Sequence, residues 1–171
     1  MKTLKPMKTL KSVYWLCALS FILCASMKCK KELITPVPKL PAETQTGART
    51  FGCLVDGEIY VPTGKSMLPA ITTSIQFEIL NLKTNKGDEA VIFNISSFNI
   101  VGDYNLSTTN NTAQFIKGAN IYKSTNGTLT IIKYDKVNRI ISGRFFFTGK
   151  DDITGKTLTI TEGRFDVPFT N

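Results

Sequence analysis

After residue 50 the sequence alternates short apolar stretches with turn-forming residues, and this pattern limits the possible folds more than any other feature. Apolar residues recur at every second position, as in Val91, Phe93 and Ile95. Successive side chains of a strand point to opposite faces, so this period is typical of half-buried strands. No segment after Leu33 keeps a helical period. The sequence therefore predicts one all-β antiparallel domain of about ten short strands over residues 50–171, either a β-sandwich or a barrel-like sheet.

Several hairpins and one face of the core can be placed within this domain. Asp56-Gly57 predicts a two-residue type I′ turn between strands 51–55 and 58–61. A second hairpin is expected around Lys117-Gly118, and a longer one pairs residues 128–135 with 140–148. The residues expected in the core are Cys53, Ile75, Phe77, Ile79, Val91, Phe93, Ile95, Ile141, Phe145, Phe147, Leu158, Ile160, Phe165, Val167 and Phe169. Arg144 and Phe146 are expected to point outward.

The first 28 residues have the composition of an export signal. Residues 1–11 are basic and contain a near-repeat, so the chain starts at Met1 or at Met7. Residues 12–27 form an uncharged, mostly apolar stretch, shorter than the roughly 20 residues that a membrane-spanning helix needs. A basic segment, a short apolar helix and small residues predict a secretory signal peptide over residues 1–28.

A cysteine ends this signal, and lipid attachment at Cys29 is the favoured prediction. Cys24 is the alternative attachment site, and plain cleavage after Ser26 is a third possibility, since no cysteine has an ideal sequence before it. Residues 29–49 contain three prolines and little apolar periodicity, which favours a flexible tether. The predicted partner at this end is a membrane, reached through the lipid.

Net charge excludes nucleic acid as an expected partner. The chain has 21 Lys and Arg against 13 Asp and Glu, but five of the lysines precede Cys29, which leaves 16 against 13. These remaining charges are scattered with mixed sign and form no basic stripe. Histidine is absent, which removes the commonest general base and metal ligand. The sequence predicts no enzyme and no cofactor.

Three groups of polar residues are candidates for a site. Asp151 and Asp152 are weak candidates for Ca²⁺, although the spacing of a calcium loop is lacking. Glu162 and Asp166 share a strand face, where charge balance is more plausible than a hydrolytic carboxylate pair. Cys53 has no histidine to activate it and is expected to be a buried thiol.

Two further patterns bear on binding. The triplets Gly143-Arg144-Phe145 and Gly163-Arg164-Phe165 echo each other, and in-strand glycines usually mark a bulge or a close backbone approach. A sugar could stack on an exposed aromatic ring, for which the candidates are Tyr60, Tyr122, Tyr134 and Phe146.

Four phrases of the sequence are long or distinctive enough to compare: CKKE at 29–32, LPAETQTGARTFGCLVDGEIYVP at 40–62, GTLTIIKYD at 127–135 and IISGRFFFTGKDDITGKTLTITEGRFDV at 140–167. They resemble a family of small Bacteroidota lipoproteins of unknown function. The resemblance implies an export signal, a lipidated cysteine and a β-rich domain. It implies no activity, so no functional residue is carried over.

Two functional hypotheses follow. The first is a non-catalytic lipoprotein of the outer membrane whose β surface binds an envelope protein or a glycan. Either leaflet of that membrane is open to it, and Lys30 and Lys31 after the cysteine favour the periplasmic side over the cell surface. The second is a small-ligand carrier with a closed β-barrel, which requires an apolar cavity of roughly 300–1,000 Å³.

Overall fold

The computed structural model describes residues 39–64 and 67–171, and these contain ten β-strands and no helix. The predicted signal peptide (1–28) and residues 29–38 of the predicted tether lie outside them, as do Cys24 and Cys29. Within the described ranges, no helix is long and apolar enough to span a membrane. The strands are β1 Thr50–Val55, β2 Glu58–Tyr60, β3 Ile71–Gln76, β4 Ile79–Thr84, β5 Glu89–Ile95, β6 Gly102–Asn105, β7 Asn111–Lys117, β8 Asn120–Asp135, β9 Ile140–Asp151 and β10 Thr157–Pro168.

All ten strands belong to one antiparallel sheet that curls into a half-barrel. The strand order is β2-β1-β10-β9-β8-β7-β5-β4-β3, and β6 pairs with β8. The prediction of an all-β, barrel-like domain is confirmed, and a two-layer sandwich is excluded. The sheet order has two ends, β2 and β3, so the sheet described here is not the closed barrel that a carrier needs. At the β3 end, Thr170 forms a parallel bridge with Ser74.

The β1–β2 turn confirms the sequence prediction, whereas the next hairpin corrects it. Asp56 and Gly57 have φ of 48° and 86°, as a type I′ turn requires. Phe77, predicted to be in the core, is 96% exposed at a second two-residue turn between β3 and β4, with φ of 50° and 60° at Phe77 and Glu78. Alternation misled here, because Ile75 and Ile79 lie on two strands, and Ile79 is exposed as well.

The concave face of the half-barrel is filled by aromatic side chains. The Phe145 ring lies 5.1 Å from that of Phe51 and 4.9 Å from that of Phe93, centroid to centroid. Burying such rings is the main stabilising contribution of a sheet face. The predicted core residues other than Phe77 and Ile79 are confirmed: Cys53, Ile75, Val91, Phe93, Ile95, Ile141, Phe145, Phe147, Leu158, Ile160, Phe165, Val167 and Phe169 are all buried.

The two Gly-Arg-Phe triplets lie side by side on β9 and β10. In the strand register Gly163 faces Phe145, and Gly143 faces Phe165. A Cβ on Gly163 would lie 2.4 Å from the Phe145 ring, and one on Gly143 would lie 2.9 Å from the Phe165 ring. Each glycine therefore leaves the space that the phenyl ring of the opposite triplet fills. The sequence predicted a bulge or a close backbone approach at these glycines. Gly163 borders a bulge, and a Cβ on Gly143 would lie 2.4 Å from the backbone oxygen of Thr130.

The packed domain begins before the predicted boundary at Thr50. Residues 40–48, here called the strap, belong to the segment for which the sequence predicts a flexible tether, but in the structure they lie along the outer face of β1, β10 and β9. A Cβ on Gly52 would lie 2.5 Å from Cδ of Pro41, so the strap lies directly on β1. The hydrogen bonds described below hold the strap in place.

Candidate functional site

The candidate site lies on the outer face of the sheet and is centred on two arginines. Arg144 and Arg164 are directly opposite each other in the β9–β10 register. Like charges at opposite positions of neighbouring strands destabilise a sheet. The same alternation that turns Phe145 and Phe165 inward turns both arginines outward. The two triplets thus produce a packed inner face and a concentrated positive charge on the outer face.

Each arginine is paired with one carboxylate, Arg144 with Glu43 and Arg164 with Glu162. Glu43, on the strap, accepts from Nε of Arg144 through both oxygens at 2.9 Å. Glu162 lies 3.3 Å from Nη2 of Arg164 and has a φ of 51°. This positive φ belongs to a β-bulge, because the β9–β10 register shifts between Ile160 and Gly163. A glutamate in this conformation is strained by about 1 kcal/mol or more.

The buried carboxylate of Asp166 fixes the strap. Its Oδ2 accepts from the Thr44 hydroxyl at 2.6 Å and from the amides of Thr46 and Ala48 at 2.9 and 3.1 Å. Its Oδ1 accepts from the amide of Gly47 at 2.8 Å. Charge-assisted bonds of this kind are stronger than neutral ones. The TQTGA and RFDV segments of the sequence, more than a hundred residues apart, are therefore joined by one side chain.

Hydrogen bonds lower the pKa of two carboxylates in this region. For Asp166, burial is the largest single influence and raises the pKa. The bonds from Thr44 and from the amides of Ala48, Thr46 and Gly47 together outweigh it, so the pKa lies below its ordinary value. For Glu43, the hydrogen bond from Arg144 lowers the pKa. Both groups carry a negative charge at neutral pH.

Two adjoining pockets flank the Arg144–Glu43 pair. The first, here called the strap pocket, has a volume of about 300 Å³ and lies between the strap and Ser142, Arg144 and Arg164. The second, here called the Phe146 groove, has a volume of about 400 Å³ and is lined by Phe146, Thr128 and Thr130. Glu43, Arg144 and Arg164 line both pockets. Together they form one groove across the outer face.

Ser142 is a buried polar group in the strap pocket. Its residue is only 1% exposed, and its hydroxyl has no hydrogen-bond partner among the residues that the structure describes. It lies opposite Asp166 in the register, on the outer face, under the strap. A buried hydroxyl without a partner destabilises the folded state by about 1–3 kcal/mol. Such a group calls for a specific explanation.

The structure separates the carboxylates that the sequence placed on one strand face. Asp166 is buried beneath the strap, whereas Glu162 is exposed at the bulge. Asp151 is buried and accepts from the amides of Ile153 and Thr154, and Asp152 pairs with Lys123 at 2.9 Å. In residues 39–64 and 67–171, no three His, Cys, Asp or Glu side chains form a metal-binding group.

Cys53 is buried, which confirms the prediction made for its thiol. It faces the concave side, and burial raises the pKa of its thiol to about 12. A thiol with so high a pKa carries almost no thiolate at neutral pH, and the thiolate is the reactive form.

Of the four aromatic candidates for sugar stacking, Phe146 stands out. It is 53% exposed on the outer face, as predicted, and lies opposite Thr128. Tyr60 is buried, and its hydroxyl is hydrogen-bonded to Thr84 at 2.9 Å. Tyr122 and Tyr134 are half-buried beside Phe115 and Phe98. Sequence reasoning found Phe146 but missed Glu43 and Ser142, because their roles depend on the docked strap.

A separate pocket of about 530 Å³ lies at the end of the half-barrel that carries the β1–β2 turn. Tyr60, Phe115 and Leu158 form its apolar wall, and Lys86, Lys117 and Lys156 are among its polar lining. Glu89 pairs with Lys117 at 3.0 Å and with Lys86 at 3.7 Å. Its size fits a small ligand, although it is an open mouth and not the closed cavity predicted for a carrier.

Comparison with known proteins gives one family. Residues 67–168 match a family described as a Domain of unknown function (DUF6252). The matched region contains both Gly-Arg-Phe triplets. Neither a curated protein nor a solved structure matches the chain.

Proposed function

The chain belongs to the DUF6252 family, whose function is unknown, and from the geometry of its outer face we propose that it is a non-catalytic lipoprotein of the cell envelope that binds saccharides. The observation that carries this proposal is the groove in which an exposed aromatic ring lies beside paired Arg and Glu side chains and threonine hydroxyls. Aromatic faces stack on the apolar face of a sugar ring, and planar charged groups form hydrogen bonds with its hydroxyls.

A binding role is favoured over a carrier because the concave interior holds packed side chains. The rings of Phe51, Phe93 and Phe145 occupy the space that a carried ligand would need. The groove, in contrast, is open to solvent along the sheet, which suits an extended chain of sugars. We assign no catalytic role to its carboxylates, since Glu43 and Glu162 are each engaged by an arginine and Asp166 by the strap.

The anchor in this proposal is a lipid on Cys29, at the outer membrane and on its periplasmic side. The basic and apolar signal, the cysteine that follows it and the proline-containing segment support this assignment. Two or three acyl chains would hold the protein stably, at about 0.8 kcal/mol for each buried CH₂. Cys29→Ala should abolish labelling by radioactive palmitate and release the protein from the membrane fraction. Labelling that persists in Cys29→Ala and disappears in Cys24→Ala would move the anchor to Cys24.

Binding is tested with the full-length chain in detergent against a panel of immobilised polysaccharides. We expect at least one to bind, and Phe146→Ala to weaken binding about tenfold through loss of stacking. Phe77→Ala is the matched control, because it removes an exposed phenyl ring, more exposed than that of Phe146, from a turn outside the groove. Failure to bind any polysaccharide, or an equal loss in both variants, would contradict the proposed function.

A further inference from the structure

We propose that the strap pocket is a subsite for the carboxylate of an acidic sugar. In this subsite Arg164, Ser142 and Arg144 all bind the carboxylate. This rests on the proposed function and specifies the class of saccharide. The pocket adjoins the Phe146 groove, so a sugar stacked on Phe146 can direct a carboxylate past Glu43 into it.

Arg164 has hydrogen-bonding capacity that the protein does not use. A guanidinium group has five N–H donors. In the part of the chain that the structure describes, Nε donates to the carbonyl oxygen of Glu162 at 3.2 Å and Nη2 to its carboxylate at 3.3 Å. The other terminal nitrogen, Nη1, is available to a ligand in the pocket that Arg164 lines. Arginine presents these donors in the planar geometry that suits a carboxylate.

Ser142 supplies the second, independent observation. Its buried hydroxyl lacks a partner within residues 39–64 and 67–171, and the residue is one of those that line the same pocket. A hydroxyl donates one hydrogen bond and accepts up to two. A ligand oxygen in the pocket would satisfy this group and remove the free-energy cost of leaving it unpaired.

The existing contact between Glu43 and Arg144 indicates which anion fits. Both oxygens of the Glu43 carboxylate accept from Nε of Arg144. The Glu43 carboxylate is therefore an example of the group that Arg144 binds at the entrance of the pocket. Both side chains are substantially exposed, and ion pairs in solvent contribute little net stability. A ligand carboxylate can therefore replace Glu43 at Arg144 at small cost, while Glu43 turns into solvent.

The charge that remains after Glu43 has left Arg144 favours an anion over a neutral sugar in this exchange. Arg144 and Arg164 lie at opposite register positions, so without Glu43 only Glu162 would offset the repulsion between the two guanidinium groups. A carboxylate between them interacts with both guanidinium groups, whereas a sugar hydroxyl forms weaker, uncharged hydrogen bonds.

The test compares polygalacturonate with its fully methyl-esterified form, using the full-length chain at one fixed salt concentration. The two polymers have the same sugar rings and differ in whether the carboxylate is charged. We expect the acid form to bind at least tenfold more tightly. Arg164→Gln should remove this preference, and Ser142→Ala should reduce it. Lys150→Gln is the matched control, because it removes the same charge from an exposed position of β9 outside the groove.

Each outcome decides between the two proposals. Equal binding of acid and ester would overturn the acidic subsite and leave saccharide binding intact, whereas no binding of any polysaccharide would overturn both. A preference that survives in Arg164→Gln, or is lost equally in Lys150→Gln, would show a general charge effect and overturn the subsite. Ser142→Ala removes one oxygen from a buried position, so it provides a second readout if Arg164→Gln folds poorly.

Discussion

The inner and outer faces of the β9–β10 strand pair are built from the same two triplets, but the inner face is apolar and tightly packed whereas the outer face is charged. On the inner face, each phenyl ring fills the space left by the opposite glycine, and the rings are almost fully buried. On the outer face, two arginines lie side by side, and a strained glutamate and a strap residue neutralise them. Packing explains the inner face completely. The outer face brings like charges together, which is unfavourable for the fold alone, and the proposed binding groove lies on this face.

Phe145 and Phe146 provide the sharpest test of this difference, because they are neighbours on β9 with opposite orientations. Phe145 is 3% exposed and contacts several aromatic rings. Phe145→Ala should lower the free energy of unfolding by about 3–5 kcal/mol, the usual range for a buried phenylalanine. Phe146→Ala should change it by about 0.5 kcal/mol or less. Urea denaturation of both variants measures the contrast, which similar losses would refute.

Asp166 joins the outer face to the strap, and Asp166→Asn should cause the next largest loss in the free energy of unfolding. An asparagine keeps the shape but loses the charge, and its amide nitrogen cannot accept from the strap amides. Hydrogen bonds to charged groups contribute about 1.5–3 kcal/mol, so we expect a loss of about 2 kcal/mol at pH 7. Limited proteolysis should also cut the strap faster in the variant. Asp56→Asn is a control on an exposed carboxylate that accepts from Thr159.

The difference in stability between the native chain and Asp166→Asn should change with pH in a definite direction. Since the pKa of Asp166 is lower in the folded chain than in the unfolded one, its contribution is fully present above the ordinary aspartate pKa of about 4. It is lost as the pH falls from there through the depressed folded value. The stability gap between the native chain and Asp166→Asn should therefore be constant from pH 7 to about 5 and narrow below pH 4. A gap that widens on acidification would contradict the assignment.

The sequence predicted the inner face better than the outer one, for a physical reason. Alternation fixes which side chains of a strand face the core, so Phe145, Phe147 and Phe165 were placed correctly. The assembly of the groove depends on contacts over long sequence distances, such as Glu43 with Arg144, which local patterns do not contain. The echo of the two triplets was visible, but their pairing required the strand register. Phe77 was misplaced because a type I′ turn of Phe and Glu lacks the usual Asn or Gly signal.

Of these substitutions, Glu162→Gly should change the free energy of unfolding least. Its φ of 51° is a conformation that glycine adopts without strain. Glu162→Gly should therefore leave stability within about 0.5 kcal/mol of the native chain, since relief of strain offsets the lost ion pair and the added chain entropy. The control is Glu58→Gly, which changes an exposed strand glutamate outside the positive-φ region and should cost about 1 kcal/mol. Thermal unfolding at pH 7 compares the two. Equal losses would mean that the bulge holds Glu162 without strain, and the contrast between the faces would then rest on the arginine pair alone.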